Sequence, residues 1–220
     1  MKLVVKDFGL TNYLDVYNSM RSFTQKREFD TLDEIWFCEH REVFTLGKKA
    51  SKNNIIIPNN VPTIETDRGG EITFHGPGQL VIYPLINIKR IQIFPKEYIN
   101  LLENILRNTF KYFGIKAILI ENIHGIFIEK TNNSIGIFKN LNKVSSIGLK
   151  ISNGSSYHGI SININTNLEY FKMINPCGYK GLKNINLRDL NKDISEEKLK
   201  NKFLENFKLL LIKDGKQIYD

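Results

Sequence analysis

Cysteine is scarce in this chain, with Cys38 and Cys177 alone among 220 residues. Two cysteines in unlike surroundings form neither a disulfide framework nor a CxxC metal pair, so a reducing compartment is expected. Long apolar runs are also missing. No stretch approaches the roughly 20 residues of a membrane span, and residues 1–7 lack the apolar core of a secretory signal. The expectation is a soluble cytoplasmic protein that stays where it is made. No GxGxxG follows the first strand pattern and no GxxxxGK[ST] occurs, which removes the standard nucleotide fingerprints. The four histidines, His40, His75, His124 and His158, show no i, i+4 pair on a helical pattern, so no metal site is expected. The net charge of +8 is spread among asparagines and isoleucines, without a basic block or basic-aromatic interleaving, and points to weak steering of an acidic partner and away from nucleic acid.

What is present is concentrated. Residues 68–79 (RGGEITFHGPGQ) place four glycines, an arginine and a histidine around a short Ile72-Thr73-Phe74 run. Gly69 and Gly70 let main-chain N–H groups approach a ligand, and Gly76-Pro77-Gly78 turns the chain sharply. Two readings stand: a cradle for an anion or polarised carbonyl, or a tight hairpin with two Gly-rich turns. Cys177, in Asn175-Pro176-Cys177-Gly178, is the better nucleophile candidate. Asn175 capping a turn begun by Pro176 would place its sulfur near N–H donors that favour a thiolate. The alternative is a small buried residue beside a turn. Cys38, flanked by Phe37 and Trp36 in a strand pattern, reads as core. A thiol nucleophile needs a base or cation. Lys143 opens a strand after the polar loop 140–142, where its side chain can enter a site, but the spacing carries no information on its distance from Cys177.

Periodicity organises the rest as one domain over residues 1–220. Thr11 caps a helix with Tyr13, Val16, Tyr17, Met20 and Phe23 on one face, and this helix is expected to open the fold. Residues 31–40 and 43–46 read as strands, and 80–88 as an extended run in which Pro84 favours an edge or a bulge. The clearest helix runs from Pro95 to Phe113 and ends at Gly114. Short strands follow at 117–120, 125–129, 134–138, 143–149 and 156–164. Ser195 caps a last helix carrying Leu199, Phe203, Phe207 and Leu210, and the tail after Lys213 has no period. Helices bracketing a mostly antiparallel β-sheet make this an α+β fold.

Four motifs together resemble the lipoyl(octanoyl) transferases: residues 68–79, the run Lys143-Val144-Ser145-Ser146-Ile147-Gly148, residues 157–165 (YHGISININ), and Asn175-Pro176-Cys177-Gly178-Tyr179. They stand in that family's order and spacing, and the similarity covers residues 5 to 190. The resemblance implies the α+β fold of biotin and lipoate protein ligases. It also implies a cytoplasmic, monomeric acyltransferase that moves an octanoyl group from acyl carrier protein to one lysine of a lipoyl domain. Acceptors in that family are the lipoyl domains of 2-oxoacid dehydrogenases and the H protein of glycine cleavage. By resemblance Cys177 carries a covalent acyl thioester, and Lys143 tunes the thiol and shuttles protons, with no cofactor or metal. Substrate contacts are implied for Arg68, Gly69, Gly70, Glu71, Ile72, Thr73, Phe74 and His75, for Ser146, Ile147 and Gly148, and for Gly159, Ile160 and Ser161. Residues 68–79 then become one wall of an acyl-thioester pocket, with Ile72 or Phe74 against the chain and main-chain donors near the carbonyl.

Glu42, Lys48-Lys49 and His124 depart from the family pattern, at positions peripheral to the implied chemistry. Two other readings remain. A ligase would activate a free acid with ATP and would not need the cysteine. A binding protein would use only the basic surface.

Overall fold

A computed structural model describes residues 2–57, 60–130, 136–213 and 216–219. Among the described residues, thirteen strands and three α-helices follow in chain order: β1 (Leu3–Thr11), α1 (Tyr13–Lys26), β2 (Asp33–His40), β3 (Val43–Leu46), β4 (Thr63–Glu65), β5 (Ile72–His75), β6 (Gln79–Leu85), α2 (Pro95–Tyr112), β7 (Ala117–Ile120), β8 (Ile123–Glu129), β9 (Leu141–Ser152), β10 (Ser155–Asn163), β11 (Lys183–Asn184), α3 (Glu196–Leu210), β12 (Ile212–Lys213) and β13 (Lys216–Gln217). The main sheet has the order β1-β2-β6-β10-β9-β8-β7, with β11 pairing with β9. It is antiparallel except for β1 on β2 and β11 on β9. A smaller sheet, β4-β3-β5, stands beside it. The expected α+β architecture is therefore the observed one.

Strand alternation sorts the core onto two faces. Ile35 and Phe37 of β2, Leu80 and Ile82 of β6, and Ile160 and Ile162 of β10 pack with Tyr98, Leu102, Ile105 and Leu106 of α2 and with Leu199, Phe203 and Phe207 of α3. Their neighbours Trp36, Cys38, Val81 and Tyr83 face the other way, onto Tyr13, Val16, Tyr17 and Met20 of α1. Cys38 is thus core, as its strand context suggests. A third core, Phe44, Ile72, Phe74, Phe171 and Ile174, joins the small sheet to the segment leading to Cys177.

Several local expectations change. A strand, not α1, opens the fold. β1 is exposed or half-exposed along its whole length, so it leaves no hydrophobic period to read. The α1 N-cap is Asn12, not Thr11, and its side chain makes no capping bond. Of the strand expected over 134–138, residues 134 and 135 lie outside the described residues, and Gly136–Phe138 is a 3-10 turn instead. The tail is not idle, because Tyr219 is buried and its hydroxyl donates to Asp33 Oδ2 at 2.6 Å.

Pro84 sits on β6 in the middle of the sheet, between β2 and β10, rather than at an edge. The ladder to β10 yields to it. His158, in the position opposite, adopts φ +57, and its N–H faces Met20 Sδ at 3.4 Å. The Pro84 carbonyl instead accepts the Ser156 hydroxyl at 2.6 Å. Pairing resumes where Ser156 N donates to Ile86 O. The regular β6–β10 ladder, which spans Ile160–Asn163, thus stops short of the proline, which has no N–H to give it.

Candidate active site

Lys143 and Cys177 meet. Lys143 Nζ donates to Cys177 Sγ at 2.9 Å and to the His124 carbonyl at 3.0 Å, so His124, expected at the periphery, stands at the site, and Lys49 also lines the cavity there. Three local features create the pair. In the ladder of β9 with β8, Ile126 faces Ser145 while Phe127 faces Lys143, so β9 carries one extra residue there. A bulge of this kind re-aims a side chain. Gly125, at φ +126, leaves room for the lysine stem: a Cβ there would stand 2.9 Å from Lys143 Cε and 2.3 Å from Ser145 O. Cys177 lies in a 3-10 turn, Pro176–Gly178, with φ 57 and ψ 18. A non-glycine residue in this left-handed region costs roughly 1–2 kcal/mol, strain typical of a site held by its surroundings. Asn175 N bonds to Asn54 O at 2.8 Å and thereby ties the turn to the chain beyond β3. The Asn175 side chain makes no capping bond, so the expected cap is absent; the donor at the sulfur is the lysine ammonium. Lys143 is 1% exposed.

A cavity of about 390 Å³ opens from this pair. Arg68, Gly69, Gly70, Glu71, Ile72, Thr73 and His75 form one wall, Ser146, Ile147 and Gly148 of β9 and Gly159, Ile160 and Ser161 of β10 another, with Lys143 and Cys177 among the lining residues. Of the sequence-predicted site residues only Phe74 falls outside it. Phe74 belongs to the third core, stacked on Tyr170 with centroids 4.4 Å apart, whereas Thr73 and His75 face the cavity. Ile72 touches both.

Arg68 shapes the wall rather than projecting from it. Its five hydrogen bonds go to Thr45 Oγ1 (from Nε and Nη2), Thr45 O, Gly69 O and Glu71 O, at 2.7–3.2 Å, and none of these oxygens is a carboxylate. Burial pulls its pKa down. The Gly69 amide is likewise committed, to Leu149 O at 2.8 Å, and is not a free donor to a ligand. Gly47 admits the loop because a Cβ there would lie 2.3 Å from Gly70 O.

Away from the thiol the cavity is lined by Tyr13, Tyr83, His75 and His158, parts of a buried polar network. Gln79 Nε2 donates to Phe74 O and Asn163 Oδ1, so its oxygen faces His75 Nδ1 at 2.7 Å and that nitrogen carries the proton. His158 Nε2 lies 2.9 Å from Asp67 Oδ1, and Asp67 also accepts the Tyr17 and Tyr157 hydroxyls. Burial raises the Asp67 carboxyl, but the donors His158, Tyr157 and Tyr17 outweigh it and hold the pKa well below the usual range. Burial lowers the pKa values of His75 and His158, so both imidazoles stay neutral. Thr45, Asp67 and Tyr13 carry this architecture and escaped the sequence reading. Asp67 directly precedes Arg68, which is a signal, whereas Tyr13 is indistinguishable in sequence from the rest of the α1 face.

Comparison with known proteins agrees with the geometry. Residues 12–208 match the family model described as the lipoyl protein ligase A/B catalytic domain. A protein of Francisella tularensis subsp. tularensis named octanoyltransferase is 42% identical over 207 residues, 94% of this chain and 95% of its own. One of Aliivibrio fischeri with the same name is 37% identical over 219 residues, covering 100% and 92%. Among solved structures, an archaeal bipartite lipoate protein ligase with its E2 lipoyl domain from Thermoplasma acidophilum superposes with a TM-score of 0.72 at 12% identity, over 100% of this chain and 88% of that one. Biotin protein ligase from Aquifex aeolicus gives 0.52 at 12% identity, over 96% and 68%. These structural likenesses establish the shared fold, and the sequence identities establish kinship: the chain belongs to the lipoyl protein ligase A/B catalytic family, among its octanoyltransferases, and is an acyltransferase acting in protein lipoylation.

Proposed function

We propose that the chain transfers an octanoyl group from an acyl carrier protein thioester to a lysine of a lipoyl domain, through a thioester on Cys177. The observation that carries this reading is the 2.9 Å contact of Lys143 Nζ with Cys177 Sγ at a cavity of about 390 Å³, a size suited to a small apolar ligand. An ammonium donating to sulfur favours the anionic, nucleophilic form of a thiol. The Cys177 sulfur attacks the acyl carbonyl, a new C–S bond forms, and the carrier's C–S bond breaks. The departing carrier thiolate takes a proton from Lys143. The neutral Lys143 amine then accepts a proton from the attacking lysine nitrogen of the acceptor as the C–N bond forms, and Cys177 leaves as the thiolate beside a restored ammonium. Thioester exchange is close to isoenergetic and amide formation runs downhill, so no ATP enters.

Intact-mass measurement after incubation with octanoyl-acyl carrier protein tests the reading. One octanoyl adduct, mapped to Cys177 and removed by hydroxylamine, is expected, and Cys177→Ser should neither form it nor modify a lipoyl domain. If Cys177→Ser modified the lipoyl domain from free octanoate and ATP, the chain would be a ligase. If no adduct formed at any pH, the covalent route would be wrong.

A further inference from the structure

Glu103 is a carboxylate on the core-facing side of α2, whose other buried residues are Tyr98, Leu102, Ile105, Leu106, Thr109 and Phe110. It is 8% exposed. A buried carboxylate is expensive unless its oxygens are used. Here Oε1 accepts the Gly125 N–H at 3.2 Å and lies 3.2 Å from His124 Nδ1. The Gly125 N–H and the His124 carbonyl are the two ends of one peptide unit. That carbonyl is the second acceptor of Lys143 Nζ, at 3.0 Å. A single rigid peptide plane therefore links the Glu103 carboxylate on one side to the Lys143 ammonium on the other, and the ammonium to the Cys177 sulfur.

We propose that Glu103 is a positioning residue for Lys143: through the His124–Gly125 peptide it orients and polarises the carbonyl that holds Nζ against the Cys177 sulfur. Hydrogen bonds in series polarise one another, most strongly away from water, so a negative charge at the N–H end makes the carbonyl end a better acceptor. The plane is free to take this orientation only because residue 125 is glycine at φ +126. Lys143 has three protons to place, and the Phe127 ring lies 5.3 Å below its nitrogen. The His124 carbonyl takes one of those protons and the Cys177 sulfur another, which fixes the direction of the ammonium beside the ring.

The inference rests on the Lys143–Cys177 reading above, and one experiment separates the two. The rate of Cys177 alkylation by iodoacetamide, localised by mass spectrometry, is followed against pH in wild type, Glu103→Ala, Glu103→Gln and Lys143→Met. Glu103→Ala should react about fivefold more slowly at pH 7, the equivalent of one ordinary hydrogen bond, with its profile displaced toward that of Lys143→Met. Glu103→Gln, which keeps an oxygen for the Gly125 N–H but loses the charge, should fall between Glu103→Ala and wild type. A role confined to anchoring α2 on β8 would lower the urea midpoint and leave the profile in place. A Glu103→Ala profile superimposable on wild type, with Lys143→Met displaced, overturns the positioning role and leaves the proposed function standing. A Lys143→Met profile identical to wild type overturns the Lys143–Cys177 reading itself, and the positioning role with it. Glu103→Gln supplies the comparison if Glu103→Ala does not fold.

Discussion

Acidification should unfold this protein earlier than its carboxylates alone would require, and His40 allows the effect to be sized. The ring is fully buried on β2. Its Nδ1 is 3.3 Å from the Thr11 carbonyl, which can only accept, so that nitrogen carries the proton and Nε2 accepts the Tyr83 hydroxyl at 2.7 Å. Burial lowers its pKa from 6.5 to about 4, against a smaller opposing pull from the Thr11 carbonyl. Between those two pH values the unfolded chain binds a proton at this site and the folded chain does not. Stability is therefore fully present above about pH 6.5 and declines as pH falls toward 4, by about 3 kcal/mol for this one ring. That is a large share of the roughly 5–15 kcal/mol of an ordinary domain. His75 and His158 shift in the same direction, also through burial, and steepen the slope. Glu39, raised by burial, offsets part of it, and Asp67, held low by its donors, adds to it only below about pH 4. Urea unfolding followed by Trp36 fluorescence at half-unit steps from pH 7.5 to 5 gives the proton uptake directly. His40→Gln should lower that uptake by about one proton whatever it does to absolute stability. Parallel curves for wild type and His40→Gln between pH 6.5 and 5 would refute the assignment of a buried neutral imidazole.

Gly125→Ala should destabilise by about 2–4 kcal/mol, from strain at φ +126 and from a Cβ 2.3 Å from Ser145 O, and should slow acyl loading of Cys177 at least about tenfold; an unchanged urea midpoint and loading rate would contradict this. Arg68→Lys exchanges a planar fork, bonded to Thr45, Gly69 and Glu71, for a point charge; a loss of about 2–4 kcal/mol and a raised KM for the acyl donor are expected, measured by urea unfolding and steady-state kinetics. Tyr219→Phe removes one donor from buried Asp33, which retains Arg27 at 2.5 Å and Arg90 at 2.6 Å; it should cost about 1–2 kcal/mol and leave acyl loading untouched, as thermal unfolding beside the loading assay would show.

Legibility in the sequence followed the range of the interaction. α2 was readable from Pro95 onward because its apolar stripe repeats every three to four residues, and Ser195 was readable as the α3 cap, accepting the Lys198 N–H at 3.2 Å. β1 was not, because both its faces are largely exposed and no alternation survives. Pro84 misled because the rule for strand prolines concerns the missing N–H, and the accommodation lies 74 residues away at His158. Phe74 stood among pocket candidates and faces a core instead, since the sequence does not say which side of β5 meets the cavity.

By itself the sequence determined the residue types available for chemistry. It carried one cysteine in a polar, turn-forming context, a glycine-rich segment able to line a wall, and motifs in an order shared with one family. The tertiary structure decided that Lys143 stands 2.9 Å from a sulfur 34 residues further on, that Arg68 is committed to Thr45, and that a carboxylate on α2 reaches the same site through one peptide. The physical reason is that periodicity encodes the geometry of a segment with itself. Distances across the sheet depend instead on register, on the bulge at Val144 and on the absence of a Cβ at Gly125, and these are settled only when the strands pack.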